Sequence, residues 1–175
     1  FPTVGSLPLE ISGQLRAGDY SLRGDISSQY LSGLLLALPL LAGDSKINLT
    51  KPLESAPYVE MTINTMRRFG VQVEQSTASS VPDGQFIVPG GQKYQPTAYA
   101  VERDYSQAAF WLTANFCGSN LQVEGLSADS CQGDKKIVEI LAEFSSGQAA
   151  GRGIYTIDAS QIPDLVPIIA VAAAQ

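Results

Sequence analysis

Three segments of the chain, Tyr20-Ser-Leu-Arg-Gly-Asp25, Tyr99-Ala-Val-Glu-Arg-Asp104 and Tyr155-Thr-Ile-Asp-Ala-Ser160, share one local grammar at offsets of 79 and 56 residues. Such self-similarity constrains the fold more than any other feature, because each copy must be one supersecondary unit that buries its apolar face against a neighbour. In each copy an aromatic and aliphatic residues alternate with polar ones, as in a short half-buried strand. A polar stretch then opens an Ala/Leu-rich segment that reads as a helix. The first copy continues into a strand at 45–49 and a helix at 58–69, the second into a strand at 120–123 and a helix at 135–144. After Gly70 come two further strands, 71–74 and 85–88, around a Ser/Pro/Asp/Gly turn. The unit therefore reads β-α-β-α-β-β and places the chain in the α/β (α+β) class. Pro89-Gly-Gly-Gln-Lys-Tyr-Gln-Pro96 reads as a linker. A third unit opens at Tyr155 and its first helix reaches Gln175 before any partner strand. The expectation is a native gene product that continues for at least the rest of that unit.

Of the 175 residues 45% are hydrophobic and 16% charged. A chain of that size and composition buries roughly 70% of its unfolded surface and needs neither metal nor disulfides to fold. It has no histidine and two cysteines, Cys117 and Cys131. The usual zinc sites, a Ser-His-Asp triad and a Cys-His pair are thereby excluded within it. Acid–base chemistry falls to carboxylates, lysine or tyrosine unless another segment supplies the group. A net charge of −6 argues against general nucleic-acid or anionic-membrane binding. The longest apolar runs, 34–42 and 165–174, are too short to span a bilayer, and no charged leader precedes a signal-like segment. The expectation is a soluble, cytoplasmic, thiol-reduced protein. Phe110, Trp111 and Cys117 read as core of an apolar helix at 108–117, Arg67-Arg68 and Lys135-Lys136 as surface, and Gly151-Arg-Gly153 as a turn.

Three loops carry residues suited to chemistry. Gly24-Asp-Ile-Ser-Ser-Gln29 stands between a strand and a helix at 30–38. The hydroxyls of Ser27 and Ser28, the amide of Gln29 and the unpaired N–H groups of the helix start together form an anion or phosphate cradle. A plain N-cap accounts for one serine; this turn carries two, and Gln29 besides. In Lys51-Pro-Leu-Glu-Ser-Ala-Pro-Tyr58 two prolines preorganise Ser55 and Tyr58. A simple helix start, with Pro57 in the first turn and Glu60 favouring the dipole, explains the same residues, and both readings stay open. Asp164, in Gln161-Ile-Pro-Asp164, begins the third strand-to-helix turn, where an acid by default complements the dipole. Counted from Tyr20, Tyr99 and Tyr155, however, Gln29, Ala108 and Asp164 occupy the same place in their units. A carboxylate there serves as general base if partial burial tunes its proton affinity.

In this order, Gly24-Asp-Ile-Ser-Ser-Gln-Tyr30, Glu54-Ser-Ala-Pro-Tyr-Val-Glu-Met-Thr62 running into Met66-Arg-Arg-Phe-Gly-Val71, residues 101–112 and Gln161-Ile-Pro-Asp-Leu-Val-Pro167 resemble the 5-enolpyruvylshikimate-3-phosphate synthase family, and the likeness runs over residues 7–174. The resemblance implies a two-domain protein of six β-α-β-α-β-β units with the active site in the cleft. Residues 1–95 would end one domain, with one full unit from Tyr20 to about Gly91 and the tail of the preceding one, and 96–175 would begin the second. The implied reaction transfers the enolpyruvyl group of phosphoenolpyruvate to the 5-hydroxyl of shikimate 3-phosphate and releases phosphate through a tetrahedral intermediate, with no cofactor and no metal. On this mapping Ser27, Ser28 and Ser55 bind shikimate 3-phosphate, Tyr58 lines that site, and Gln29 contacts both substrates. Asp164 binds the shikimate hydroxyl and accepts its proton. The resemblance implies a full-length monomer whose partners are these two substrates, with no nucleic acid or membrane among them. The family's basic substrate ligands lie mostly before Phe1 and after Gln175, so the chain alone is expected to be inactive, with at best weak shikimate 3-phosphate binding. Two other readings stay open here: the related UDP-N-acetylglucosamine enolpyruvyl transferase, whose cysteine loop is not visible, and a non-catalytic phospho-ligand-binding α/β-repeat module.

Overall fold

A computed structural model describes residues 12–76, 84–150 and 154–175. The first half is a four-stranded mixed sheet with two helices. Strand β1 (Asp19–Leu22) leads through helix α1 (Ser28–Ala37) to β2 (Ser45–Leu49), which lies parallel to β1 with Tyr20 opposite Ile47. Helix α2 (Ala56–Arg68) then leads to β3 (Glu74–Ser76) and β4 (Gln85–Val88), and the sheet order is β1-β2-β4-β3. β4 runs antiparallel to both neighbours, with Phe86 opposite Ile47 and Gln75. This is the β-α-β-α-β-β unit expected from the sequence, a crossover followed by a hairpin-type return.

Alternation decides which face is covered. In β2 the side chains of Ser45, Ile47 and Leu49 are buried while Lys46 is exposed, and in β4 Phe86 and Val88 point the same way. On that face α1 lays Leu31 and Leu35, the 3₁₀ turn after it lays Leu38, and α2 lays Val59, Ile63 and Met66, forming one core. Each such side chain, fully removed from water, contributes about 1.5–3 kcal/mol.

The end of α2 explains why the third strand starts later than the alternation at 71–74 predicts. Gly70 takes φ 82°, its N–H bonds the carbonyl of Arg67 (3.1 Å), and the Val71 N–H bonds the carbonyl of Met66 (3.0 Å). This is a Schellman termination, in which the residue after the glycine packs back on the helix. Val71 and Met66 are both 1% exposed, so Val71 belongs to the helix end, and the ladder begins at Glu74. The turn expected between these strands lies largely outside the described residues, as does the one at 151–153. The segment expected as a linker is fastened to this half: Gln95 N–H bonds the carbonyl of Phe69 (2.8 Å), and the Gln92 side chain bonds Gln72 N–H (2.8 Å) and the carbonyl of Pro89 (2.7 Å).

The second half, as described, is helical. It comprises α3 (Tyr105–Phe116), a 3₁₀ turn at Gly133–Lys136 leading into α4 (Ile137–Ala150), and a 3₁₀ turn at Pro163–Leu165 leading into α5 (Val166–Ala173). A second core gathers Ala109, Ile137, Ile140, Phe144, Leu165 and Ile168. The strands expected at 99–104, 120–123 and 155–160 do not form among the described residues. A strand exists by its ladder, and no described strand lies beside these segments to receive their backbone groups. The alternation that suggested the last of them survives as packing, with Ile157 and Ala159 resting on the second core.

Phe110, Trp111 and Cys117 are not core residues. Phe110 is 59% and Trp111 57% exposed, and Cys117 is an exposed free thiol at the end of α3. Helix α3 buries Tyr105, Ala108, Ala109 and Thr113, and at 100° per residue Phe110 and Trp111 fall on the opposite side. Arg67 and Arg68 are exposed as expected, and the ammonium of Lys135 donates to the carbonyl of Ala128 (2.6 Å). Among the described residues no helix is long and apolar enough to cross a membrane.

Candidate functional site

A cavity of about 680 Å³ is lined by Ser27, Ser28, Gln29, Ser55, Tyr58 and Asp164, all six residues that the sequence singled out. The β1-to-α1 turn and the β2-to-α2 loop are brought side by side by the parallel pair beneath them, through bonds from Thr50 N–H to the carbonyl of Leu22 (2.8 Å) and from Glu54 N–H to that of Gly24 (3.1 Å). Asp164 reaches the same cavity from the other half, on the 3₁₀ turn before α5.

The serines differ in what they already do. Ser27 is the N-cap of α1, with extended backbone, and its Oγ accepts from the Gln29 N–H (3.2 Å). Capping engages one lone pair and leaves the hydroxyl's own proton for another acceptor. Ser28 is buried and Gln29 exposed at the rim. Ser55 precedes α2 in the left-handed region, φ 54° and ψ 38°, and its side chain caps nothing. The helix-start donor of Ala56 is instead satisfied by Gln161, whose Oε1 accepts from Ala56 N–H (2.8 Å) while its Nε2 donates to the carbonyl of Leu53 (3.2 Å). The Ser55 N–H donates to the carbonyl of Ser160 (3.3 Å), so the loop is held from the second half.

Tyr58 projects from the first turn of α2 and its hydroxyl lies 3.1 Å from Oδ2 of Asp164 and 3.3 Å from Oδ2 of Asp134. Burial pushes its pKa up to about 12, helped by the two negative charges and opposed by a hydrogen bond with Ser106. At neutral pH Tyr58 is therefore a protonated donor facing carboxylates. The lining combines hydroxyl and amide donors and a helix start on one side with an exposed carboxylate on the other. Such a wall can hold a hydroxylated, anionic ligand and take a proton from one of its hydroxyls. Among the described residues the lining contains no lysine or arginine to neutralise a phosphate.

The sequence matches the family described as EPSP synthase (3-phosphoshikimate 1-carboxyvinyltransferase) over residues 3–175. This chain belongs to that family. It is 48% identical over 177 residues to the 3-phosphoshikimate 1-carboxyvinyltransferase of Clostridium acetobutylicum, covering 96% of this chain and 40% of that protein. To the proteins of the same name from Clostridium kluyveri and Clostridium novyi it is 44% and 42% identical, covering 95% and 94% of this chain and 40% and 39% of theirs. The chain spans about two fifths of the length of the curated relatives it matches.

Sequence reasoning missed the residues that hold the site together. Gln161 stood in a quoted motif, yet its function as the cap of α2 depends on a contact across 105 residues. Gln132 does the same for α3: its Oε1 accepts from Tyr105 N–H (2.8 Å) and its Nε2 donates to the carbonyl of Arg103 (2.8 Å). Asp134, 2% exposed, and Ser106, whose hydroxyl donates to Asp134 Oδ2, were also missed. A second cavity, of about 600 Å³, is lined by Asp134, Ser106 and Gln132 and shares Tyr58 and Asp164 with the first.

Proposed function

We propose that the chain is the central part of a cytoplasmic enzyme that transfers the enolpyruvyl group of phosphoenolpyruvate to the 5-hydroxyl of shikimate 3-phosphate. Residues 1–95 end its first domain and 96–175 begin its second. The separation of the apolar side chains into two clusters, one within residues 20–94 and one within 109–172, supports that division. The observation that carries the functional reading is the single cavity that gathers donors from two adjacent loops of one half and a carboxylate from the other.

In this reading Ser27, Ser28 and Ser55 hold shikimate 3-phosphate through their hydroxyls, with the start of α1 adding its dipole, and Tyr58 lines the site. Gln29, exposed at the rim, contacts both substrates. Asp164 accepts the proton of the 5-hydroxyl as that oxygen attacks C2 of phosphoenolpyruvate, whose double bond opens as C3 takes a proton from an acid of the complete enzyme. The tetrahedral intermediate then loses a proton from C3, re-forms the double bond and expels phosphate. No cofactor is required. The cationic groups that neutralise the two phosphates come from parts of the enzyme beyond this chain, so the 175 residues alone do not turn over. The complete enzyme works as a monomer.

The test is Asp164→Asn in the complete enzyme. Steady-state turnover should fall on the order of 10²–10⁴-fold, as for loss of a general base, with shikimate 3-phosphate affinity by calorimetry changed by no more than a few-fold. Turnover near wild type would remove Asp164 from the chemistry.

A further inference from the structure

The Tyr58 hydroxyl stands between two carboxylates in opposite settings. Asp164 is exposed on a short 3₁₀ turn, whereas Asp134 is 2% exposed, on the turn before α4. Among the described residues no lysine or arginine forms an ion pair with Asp134, and its Oδ1 has no hydrogen-bond partner. A carboxylate in that situation is expensive to keep, and an apolar side chain of similar size would pack at less cost. Its retention therefore points to the oxygen that does have partners. Oδ2 receives the Ser106 hydroxyl from α3 and faces the Tyr58 hydroxyl from α2 at 3.3 Å.

The backbone around Asp134 is shaped to hold it there. A Cβ on Gly133 would stand 2.9 Å from the carbonyl oxygen of Gln161 and 3.0 Å from Cγ of Pro57, so the turn lies directly against the starts of α2 and of the Asp164 segment. Gln132, adjacent, is bonded to the start of α3 through both ends of its amide. Asp134 is thus an immobile acceptor fixed to three elements, and Asp164 is an exposed one on a single turn. A phenol has one proton, so it bonds one of two carboxylates at a time, and an immobile acceptor that takes that proton leaves the other carboxylate unbonded.

We propose that Asp134 is a positioning residue: it holds the single Tyr58 proton on its own Oδ2, and so leaves the Asp164 carboxylate free to accept a proton from the bound ligand. This rests on the reading of Asp164 as proton acceptor given above.

The test is a double-mutant cycle with Asp134→Asn and Tyr58→Phe in the complete enzyme, following turnover of phosphoenolpyruvate and shikimate 3-phosphate. Asp134→Asn should lower kcat on the order of tenfold, with KM for both substrates within about twofold. The same substitution in the Tyr58→Phe background should lower kcat no further, because no phenolic proton is then left to turn onto Asp164. Should Asp134→Asn fail to fold, Ser106→Ala, which removes the other anchor of Oδ2, should give a smaller loss of kcat that also vanishes in the Tyr58→Phe background. Wild-type kcat in Asp134→Asn, or an equal loss in both backgrounds, overturns the positioning role and leaves the functional reading standing. Absence of turnover in the unsubstituted enzyme overturns the functional reading, and the positioning role with it.

Discussion

Helices α2 and α3 begin alike, each bracketed by a glutamine that arrives from a distant turn, accepts from the first helical N–H and donates to a carbonyl just upstream. They differ in what the local residue does. At α3 the preceding Asp104 also caps, its Oδ1 accepting from Ser106 N–H at 2.8 Å. At α2 the preceding Ser55 caps nothing, and Gln161 alone serves the start. A side chain that caps its own helix is engaged in the fold. Where the cap comes from elsewhere, the local hydroxyl stays available, and in this molecule that is where the candidate site lies.

The largest expected effect lies at the self-capped start. Gln132→Ala removes a buried amide and leaves both of its backbone partners unpaired, which should destabilise the complete enzyme by about 2–3 kcal/mol in denaturant unfolding. Its effect on shikimate 3-phosphate affinity should be the smaller consequence. A substitution that loosened the ligand more than the fold would erase the distinction between the two starts.

Gln161→Ala should cost less stability, about 1–2 kcal/mol, because the residue is only partly buried. It should weaken shikimate 3-phosphate binding by about tenfold in calorimetry, since the Ser55 loop loses its brace. Unchanged affinity would show that the loop keeps its shape unaided.

The smallest effect concerns Tyr58, whose pKa rises from 10.0 in the unfolded chain to about 12. A raised value stabilises the fold fully below pH 10, and that contribution disappears as pH climbs from 10 through about 12. Unfolding midpoints between pH 9 and 12 should therefore fall more steeply for wild type than for Tyr58→Phe. Parallel slopes would mean that neither burial nor the two carboxylates hold the hydroxyl's proton.

The first half was legible in the sequence because its strands find partners within the same stretch: alternation in 45–49 and 85–88 becomes a ladder with Ile47 opposite Phe86. The displaced third strand was not legible, because Val71 is claimed by the end of α2, an effect of helix termination that alternation cannot express. In the second half the alternation was real but lacked a ladder, and Tyr155, edge-on against Phe144, with Ile157 and Ala159 converts it into packing. Helix α3 is apolar on several sides, so its composition hid which face turns inward and put Phe110 and Trp111 in the wrong place. The six cavity residues were visible through helix-start grammar and a family resemblance. Gln161, Gln132 and Asp134 were invisible because each acts through contacts between segments far apart in the chain.

Ser55 is the one described residue other than glycine with a positive φ. That conformation costs on the order of 1–3 kcal/mol, and the bonds that hold it, to Ser160 and from Ala56 to Gln161, come from the second half. Without them the residue would relax into ordinary backbone and carry its hydroxyl away from the cavity. A ligand gripped by Ser55 thus reports on the docking of a segment more than a hundred residues along the chain, and by reciprocity its binding must tighten that docking by the same free energy. In the proposed reading the twisted serine would couple occupancy of the site to the docking of the Ser160–Gln161 segment.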